Sequence, residues 1–199
     1  MMASIGFLLA AYLIGSVSFA VVTSKLLGLP DPHTYGSGNP GATNVLRTGN
    51  KAAAAMALLG DCAKGWLAVW LALRLGPHAG VAAWTVPGVV VVVFLGHIFP
   101  VFHRFAGGKG VATAAGIVLA LHWPLGLALL VVWTAIAFGF RISSLASLVA
   151  ALFTPIGAFY VFGNSLTAWA MVPIGGLLFW RHRANIRQLF SGTERQIGR

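Results

Sequence analysis

Long apolar runs separated by short polar stretches dominate the chain. A bilayer-spanning helix needs about 20 predominantly apolar residues. The runs predict seven helices, over Ala3–Leu27, Ala52–Leu75, Gly80–Phe102, Gly110–Leu121, Pro124–Phe140, Ser143–Phe162 and Ser165–Trp180. Pro124 marks the break between the fourth and fifth, because proline removes a backbone donor and favours a helix start. The first run, Ser4 to Ser24, is longer than the core of a secretory signal (about 7–15 residues), and no Lys or Arg precedes it. It reads as a first span that is retained.

The fourth run is short for a span, and charge supplies an independent test of the count. Lys and Arg collect on the cytoplasmic side of membrane proteins. With the N-terminus outside and seven crossings, all of the thirteen Lys and Arg except Arg74 and Lys64 fall inside. Fusing Gly110–Phe140 into one helix would put the arginine-rich tail outside. The expected fold is therefore all-α and polytopic, a single membrane-embedded domain over residues 1–199 with its C-terminus in the cytoplasm. Three polar stretches then meet one water–membrane interface: Asp31–Lys51, His103–Lys109 and the tail from Arg181. There is no internal repeat.

Composition agrees. Hydrophobic residues make up 58% and charged residues 8%, with mean hydropathy +0.87, against about 25% charged in soluble domains. The formal net charge of +10 would point to nucleic acid in a soluble protein. In so apolar a chain it points to cytoplasmic loops and small anionic ligands, with membrane lipids around the spans and no nucleic-acid partner. The acids are Asp31, Asp61 and Glu194, and Cys62 is the lone cysteine, so no intrachain disulfide forms.

The polar stretches carry the chemistry. In Gly36-Ser37-Gly38-Asn39-Pro40-Gly41-Ala42-Thr43-Asn44, glycines allow successive amides to converge on an anion. Ser37, Asn39, Thr43 and Asn44 can donate hydrogen bonds, and Arg47 can grip a phosphate with two donors. An ordinary polar turn would use similar residues. In Gly107-Gly108-Lys109-Gly110, glycines and a cation immediately precede an apolar helix, whose N-terminal amides and dipole favour a negative charge. Gly110 stands where a Walker A loop needs a hydroxyl for magnesium, which argues against a nucleotide triphosphatase. A turn with a snorkelling Lys109 is the plainer alternative. His97, beside this loop, could orient a phosphate or move a proton, or equally make a structural hydrogen bond.

The third stretch, Arg181-His182-Arg183-Ala184-Asn185-Ile186-Arg187, puts Arg181 with Asn185 and Arg183 with Arg187 on shared helix faces, and would serve equally as a basic anchor. Deeper in the second helix, Asp61 and Lys64 are spaced to pair; intramembrane charges are costly and are functional by default, and a purely structural ion pair is the equal alternative. Arg141 with Ser143, Ser144 and Ser147 forms a further polar cluster. There is no HxxxxD pair, no GxSxG elbow and no cluster with metal-ligand spacing, so no metal and no cofactor is expected.

Taken together, GSGNPGATNVLR, GHIFPVF followed by GGKGVAT, Asp61 with Lys64-Gly65, Arg141 with SLAS, and RHRANI resemble the bacterial acyl-phosphate:glycerol-3-phosphate acyltransferases of the PlsY type, over nearly the whole chain. The resemblance implies acyl phosphate and glycerol 3-phosphate as substrates, lysophosphatidic acid and phosphate as products, and a bacterial cytoplasmic (inner) membrane location with the site facing inward. It implies Ser37, Arg47 and Lys109 as catalytic. Asn39, Thr43, Asn44, His97, Gly107, Gly108, Gly110, Ser144 and Asn185 would bind substrate. The expected division is that the Gly107–Gly110 amides, Lys109, Ser37, Thr43 and Asn44 hold one phosphate, and Arg47, Asn185 and Ser144 the other. Two positions depart from the family pattern: His33 replaces a common arginine, and Ala184 a common glutamate that would partner Asn185. A transporter of small organic phosphates is the alternative class, but it would favour paired hydrophobic halves and a midplane site.

Overall fold

The computed structural model describes residues 1–197, and their regular structure is entirely helical. The chain packs into two compact units, Met1–Leu121 and the residues from His122 onward.

The first unit holds α1 (Met2–Ser16), α2 (Phe19–Leu26), α3 (Ala42–Leu46), α4 (Lys51–Leu75), α5 (Thr85–Ile98) and α6 (Val111–Leu121). α1 packs on α5, and α4 on α6, α2 and α3. Both main crossings are backbone-to-backbone, made possible by small residues, as is usual where lipid removes the hydrophobic drive between helices. A side chain at Gly15 would strike the Val93 carbonyl, and one at Gly96 the Tyr12 carbonyl. Between α4 and α6, a side chain at Gly65 would strike the Thr113 carbonyl and one at Gly116 the Cys62 carbonyl. Val89, Val90, Val93, Phe94 and Ile98 of α5 are buried between the neighbouring helices.

The helix expected over Ala3–Leu27 is broken at Val17–Ser18, and its halves bend by 45°. Ser18 caps the second half, accepting from the Val21 amide. The third expected helix is shorter than its apolar run. Its regular α part begins at Thr85 and ends before Phe99-Pro100, and a 3-10 turn over Val101–His103 follows. Proline supplies no amide to continue the ladder.

The second unit holds α7 (Trp123–Phe140), α8 (Ser143–Phe162), α9 (Leu166–Arg181) and α10 (Arg183–Phe190). α8 packs on both α7 and α9, and Trp133 donates to the Ser147 hydroxyl at 3.1 Å across the first of these contacts. Pro124 lies in the first turn of α7, where a missing amide costs little.

Among the described residues, four helical segments are long and apolar enough to cross a membrane: Lys51–Leu75, Thr85–His103, Trp123–Phe140 and Ser143–Phe162; the bent α1–α2 pair makes a fifth if taken as one span. α6 is apolar but has only 11 residues.

Candidate active site

The first polar stretch folds around the side chain of Asn44. Its Oδ1 accepts from the Ser37 amide at 3.0 Å and from the Arg47 guanidinium at 3.2 Å. Its Nδ2 donates to the carbonyls of Pro32 at 2.9 Å and Tyr35 at 3.1 Å. Asn44 is buried, whereas Ser37, Thr43 and Arg47 are exposed and Asn39 is half-buried. Gly36 turns the chain at φ +60°, and a side chain there would occupy the space of Asn44 Oδ1 and Arg47. A buried carboxamide thus sets the positions of an exposed hydroxyl residue and an exposed guanidinium.

The second stretch leaves α5 through Arg104 and Phe105, both left-handed (φ 51° and 61°), and re-enters helix at Val111. Gly107 and Gly108 are buried and Lys109 is half-buried. Each glycine is required by close approach. A side chain at Gly107 would meet the His97 and Ile98 carbonyls; one at Gly108 would meet the His97 imidazole and, at 3.0 Å, the Pro40 carbonyl. Gly110, at φ +88°, lies against Phe94 and Ile98.

The two loops touch. Gly108 abuts Pro40 of the first loop, and His33 ties them a second time. Its Nδ1 lies 2.7 Å from Asp31 Oδ1 and its Nε2 2.9 Å from the Ala106 carbonyl oxygen. The histidine that replaces the common arginine is therefore a strap between loops. The Asp31 carboxyl is held below its ordinary acidity range chiefly by the His33 backbone amide, which donates at 2.9 Å; burial opposes this, and the imidazole adds to the lowering. Burial pushes the Tyr35 hydroxyl up.

In the second unit, Ser144 and Asn185 converge on one carboxylate oxygen. Glu194 Oε1 accepts from the Ser144 hydroxyl at 2.6 Å and from Asn185 Nδ2 at 2.7 Å. The Ile197 amide donates to the Arg141 carbonyl at 2.6 Å, so the tail folds back onto the α7–α8 junction. Glu194 was not among the expected site residues. Its signal was available, since it is one of only three acids, but its place in the tail hid the pairing. It supplies the carboxylate for Asn185 that Ala184 lacks. His182 is buried, with Nδ1 2.8 Å from the Leu178 carbonyl oxygen.

Ser37, Asn39, Thr43, Asn44, Arg47, His97, Gly107, Gly108, Lys109 and Gly110 thus lie in the first unit, and Ser144 and Asn185 in the second. Hydroxyls, glycine-bounded backbone and two cations on touching loops, carried by apolar helices, define a class: a membrane-embedded protein that handles small anionic substrates. The chain belongs to the glycerol-3-phosphate acyltransferase family, whose model matches residues 5–192. It is 63% identical over 197 residues to the glycerol-3-phosphate acyltransferase of Cupriavidus taiwanensis, covering 99% of this chain and 98% of that one. The enzyme of the same name from Ralstonia nicotianae is 61% identical over 196 residues, covering 98% and 95%. The fold is similar to crystal structures of PlsY (YgiH), an integral membrane glycerol 3-phosphate acyltransferase, in its glycerol 3-phosphate form (TM-score 0.91) and its lysophosphatidic acid form (TM-score 0.89). Both are 35% identical and cover 98% of this chain and 96% of theirs.

Proposed function

We propose that this membrane acyltransferase moves an acyl group from acyl phosphate to the 1-hydroxyl of glycerol 3-phosphate, giving lysophosphatidic acid and inorganic phosphate. The observation that carries this reading is the contact of the loop over residues 31–47 with the loop over residues 104–110, at Gly108 with Pro40 and at His33 with Ala106. It supports a shared site for two phosphates on facing loops.

Acyl phosphate brings its own leaving group, so positioning and charge neutralisation suffice for catalysis. The glycerol hydroxyl oxygen attacks the acyl carbon. The bond from that carbon to the phosphate oxygen breaks, and phosphate leaves with the electron pair. The hydroxyl proton passes to a phosphate oxygen, so no protein base is required. The leaving phosphate gains charge in the transition state, which suits the Gly107–Gly110 loop and the full charge of Lys109. Arg47, with its planar fork fixed by Asn44, takes the phosphate of glycerol 3-phosphate. Asn44, engaged on both sides of its carboxamide, acts by holding Arg47 and the Ser37 amide in place. Ser37, Asn39 and Thr43 face substrate, and residues 1–199 work as one catalytic domain, a reading supported by the family match across both units.

We further propose seven crossings of a bacterial cytoplasmic membrane, with the N-terminus outside and the loops facing the cytoplasm. The placement of basic residues supports this. The 11 residues of α6 reach roughly 16 Å at about 1.5 Å each, half of the ~30 Å hydrocarbon core. On this topology the glycine loop that starts α6 lies below the interface, within reach of an acyl chain in the bilayer.

The test is purified protein with labelled glycerol 3-phosphate and either acyl phosphate or acyl-coenzyme A. Labelled lysophosphatidic acid from acyl phosphate alone is expected; product from the coenzyme A ester alone would replace the proposed donor.

A further inference from the structure

Asp61 and Lys64 lie inside α4, each 3% exposed, and the proposed chemistry uses neither. Their contacts go beyond pairing with each other. Lys64 Nζ donates to Asp61 Oδ1 at 2.8 Å and to the Val17 carbonyl at 2.5 Å, while the Phe19 amide donates to the same Asp61 oxygen at 3.3 Å. Val17 and Phe19 flank the break between α1 and α2, so the pair satisfies a carbonyl and an amide at that break. Buried polar backbone left without partners is expensive, and the pair thereby stabilises the bend.

Asp61 also meets both flanks of the glycine loop, with its carboxylate on one side and its backbone carbonyl on the other. On the α5 side, Asp61 Oδ1 lies 3.7 Å from His97 Nδ1. The other side of that imidazole, Nε2 and Cε1, fills the space a Gly108 side chain would need, and the His97 carbonyl fills that of Gly107. On the α6 side, the Thr113 hydroxyl donates to the Asp61 backbone carbonyl at 3.0 Å. Residues 107–110 are therefore suspended between two anchors that meet at one residue of α4.

We propose that Asp61 is a positioning residue for acyl transfer: acting through His97, it sets the Gly107–Gly110 loop in the geometry that receives the acyl phosphate, while Lys64 neutralises it and ties it to the α1–α2 break. The inference rests on the phosphate-loop reading above. It separates two tasks that a buried ion pair can combine, holding the fold and aiming a loop.

The separation is measurable in purified protein. Asp61→Asn leaves Lys64 buried and uncompensated, which is strongly destabilising, whereas Asp61→Asn with Lys64→Gln removes both charges. The double variant is expected to melt close to the parent yet to show a KM for acyl phosphate raised about tenfold, a factor equal to ~1.4 kcal/mol. A double variant that regains the parental KM along with its melting temperature would overturn the proposal, leaving a structural ion pair. Should it fail to fold, Asp61→Glu retains the charge and moves it relative to His97, Lys64 and the Phe19 amide alike. In a cycle with His97→Gln, the combined variant should then raise KM no further than His97→Gln alone, since the one acts through the other. Effects that multiply independently would also overturn it. Lys109→Ala in parallel isolates the underlying reading. A folded Lys109→Ala protein with parental KM and turnover would remove the phosphate loop itself, whatever the Asp61 variants do.

Discussion

Lys109 supplies the fixed charge at the start of α6, and no other Lys or Arg lies within the 107–110 loop. Lys109→Ala should lower turnover by about 10²–10³-fold, the cost of removing one preorganised transition-state donor, while the protein still inserts and keeps its melting temperature. Arg47 calls for a different readout. Asn44 holds its guanidinium from one side, leaving a planar fork that an ammonium cannot copy. Arg47→Lys should raise the KM for glycerol 3-phosphate about tenfold (~1.4 kcal/mol) with a smaller change in kcat. An unchanged KM would assign Arg47 to the acyl phosphate or to structure. Asp31 adds a pH signature. Its carboxyl is held below its ordinary value of 3.8 by the His33 amide and ring, so its contribution to stability is present above that value and disappears as pH falls through the lower folded value. The melting temperature of Asp31→Asn should lie below the parent's at neutral pH, with the gap closing in acid. These roles were unevenly legible. Lys109 and Arg47 are charges in glycine-rich motifs, so their candidacy is visible in the sequence, while the roles given them belong to the proposal. The strap made by His33 and the anchor made by Glu194 depend on chain segments meeting in space, which spacing along the sequence does not encode.

Among the elements, the limits of α4, α7 and α8 follow from apolar length and breakers alone: α8 spans Ser143–Phe162, as its run predicts. The break in the first helix did not show, because Gly15-Ser16-Val17-Ser18 interrupts the apolar run too weakly. What stabilises the bend comes from α4, through Lys64 and Asp61. α3 and α10 are short and polar-flanked, with no apolar run to announce them. The small-residue contact of α4 with α6 matters to function because α6 carries the glycine loop. Gly116 lies so close to the Cys62 carbonyl that a methyl group has no room. Gly116→Ala should therefore destabilise the protein by about 1–3 kcal/mol, the usual cost of overpacking. The check is a thermal melt in detergent. Activity should fall with the folded fraction, and the KM of the folded remainder should rise as α6 is pushed away from α4.

At the scale of the whole molecule, the sharpest prediction concerns which side of the membrane each loop occupies. Charge placement and mechanism both depend on it. Single cysteines replacing Thr48, Ala106 and Gln196, each in a Cys62→Ala background, should all lie in the cytoplasm, and one replacing His78 should lie outside. A membrane-impermeant thiol reagent on intact cells, with any outer membrane opened, should label the position-78 variant alone. Substrates with phosphate groups that are made inside the cell need a site that opens inward, so labelling of the position-106 variant from outside would contradict the proposed chemistry as well as the topology. Labelling of the position-106 and position-196 variants from opposite sides would break only the seven-crossing count. α6 would then be the reason. Its 11 residues are well below the ~20 needed for a full crossing, so it can serve either as a half-height span with a sunken loop or as a re-entrant helix that returns to its own side. The second arrangement reverses every element after it. It would leave the contact between the first two loops intact and place Asn185 and Glu194 on the opposite face, removing Asn185 from the substrate-binding residues.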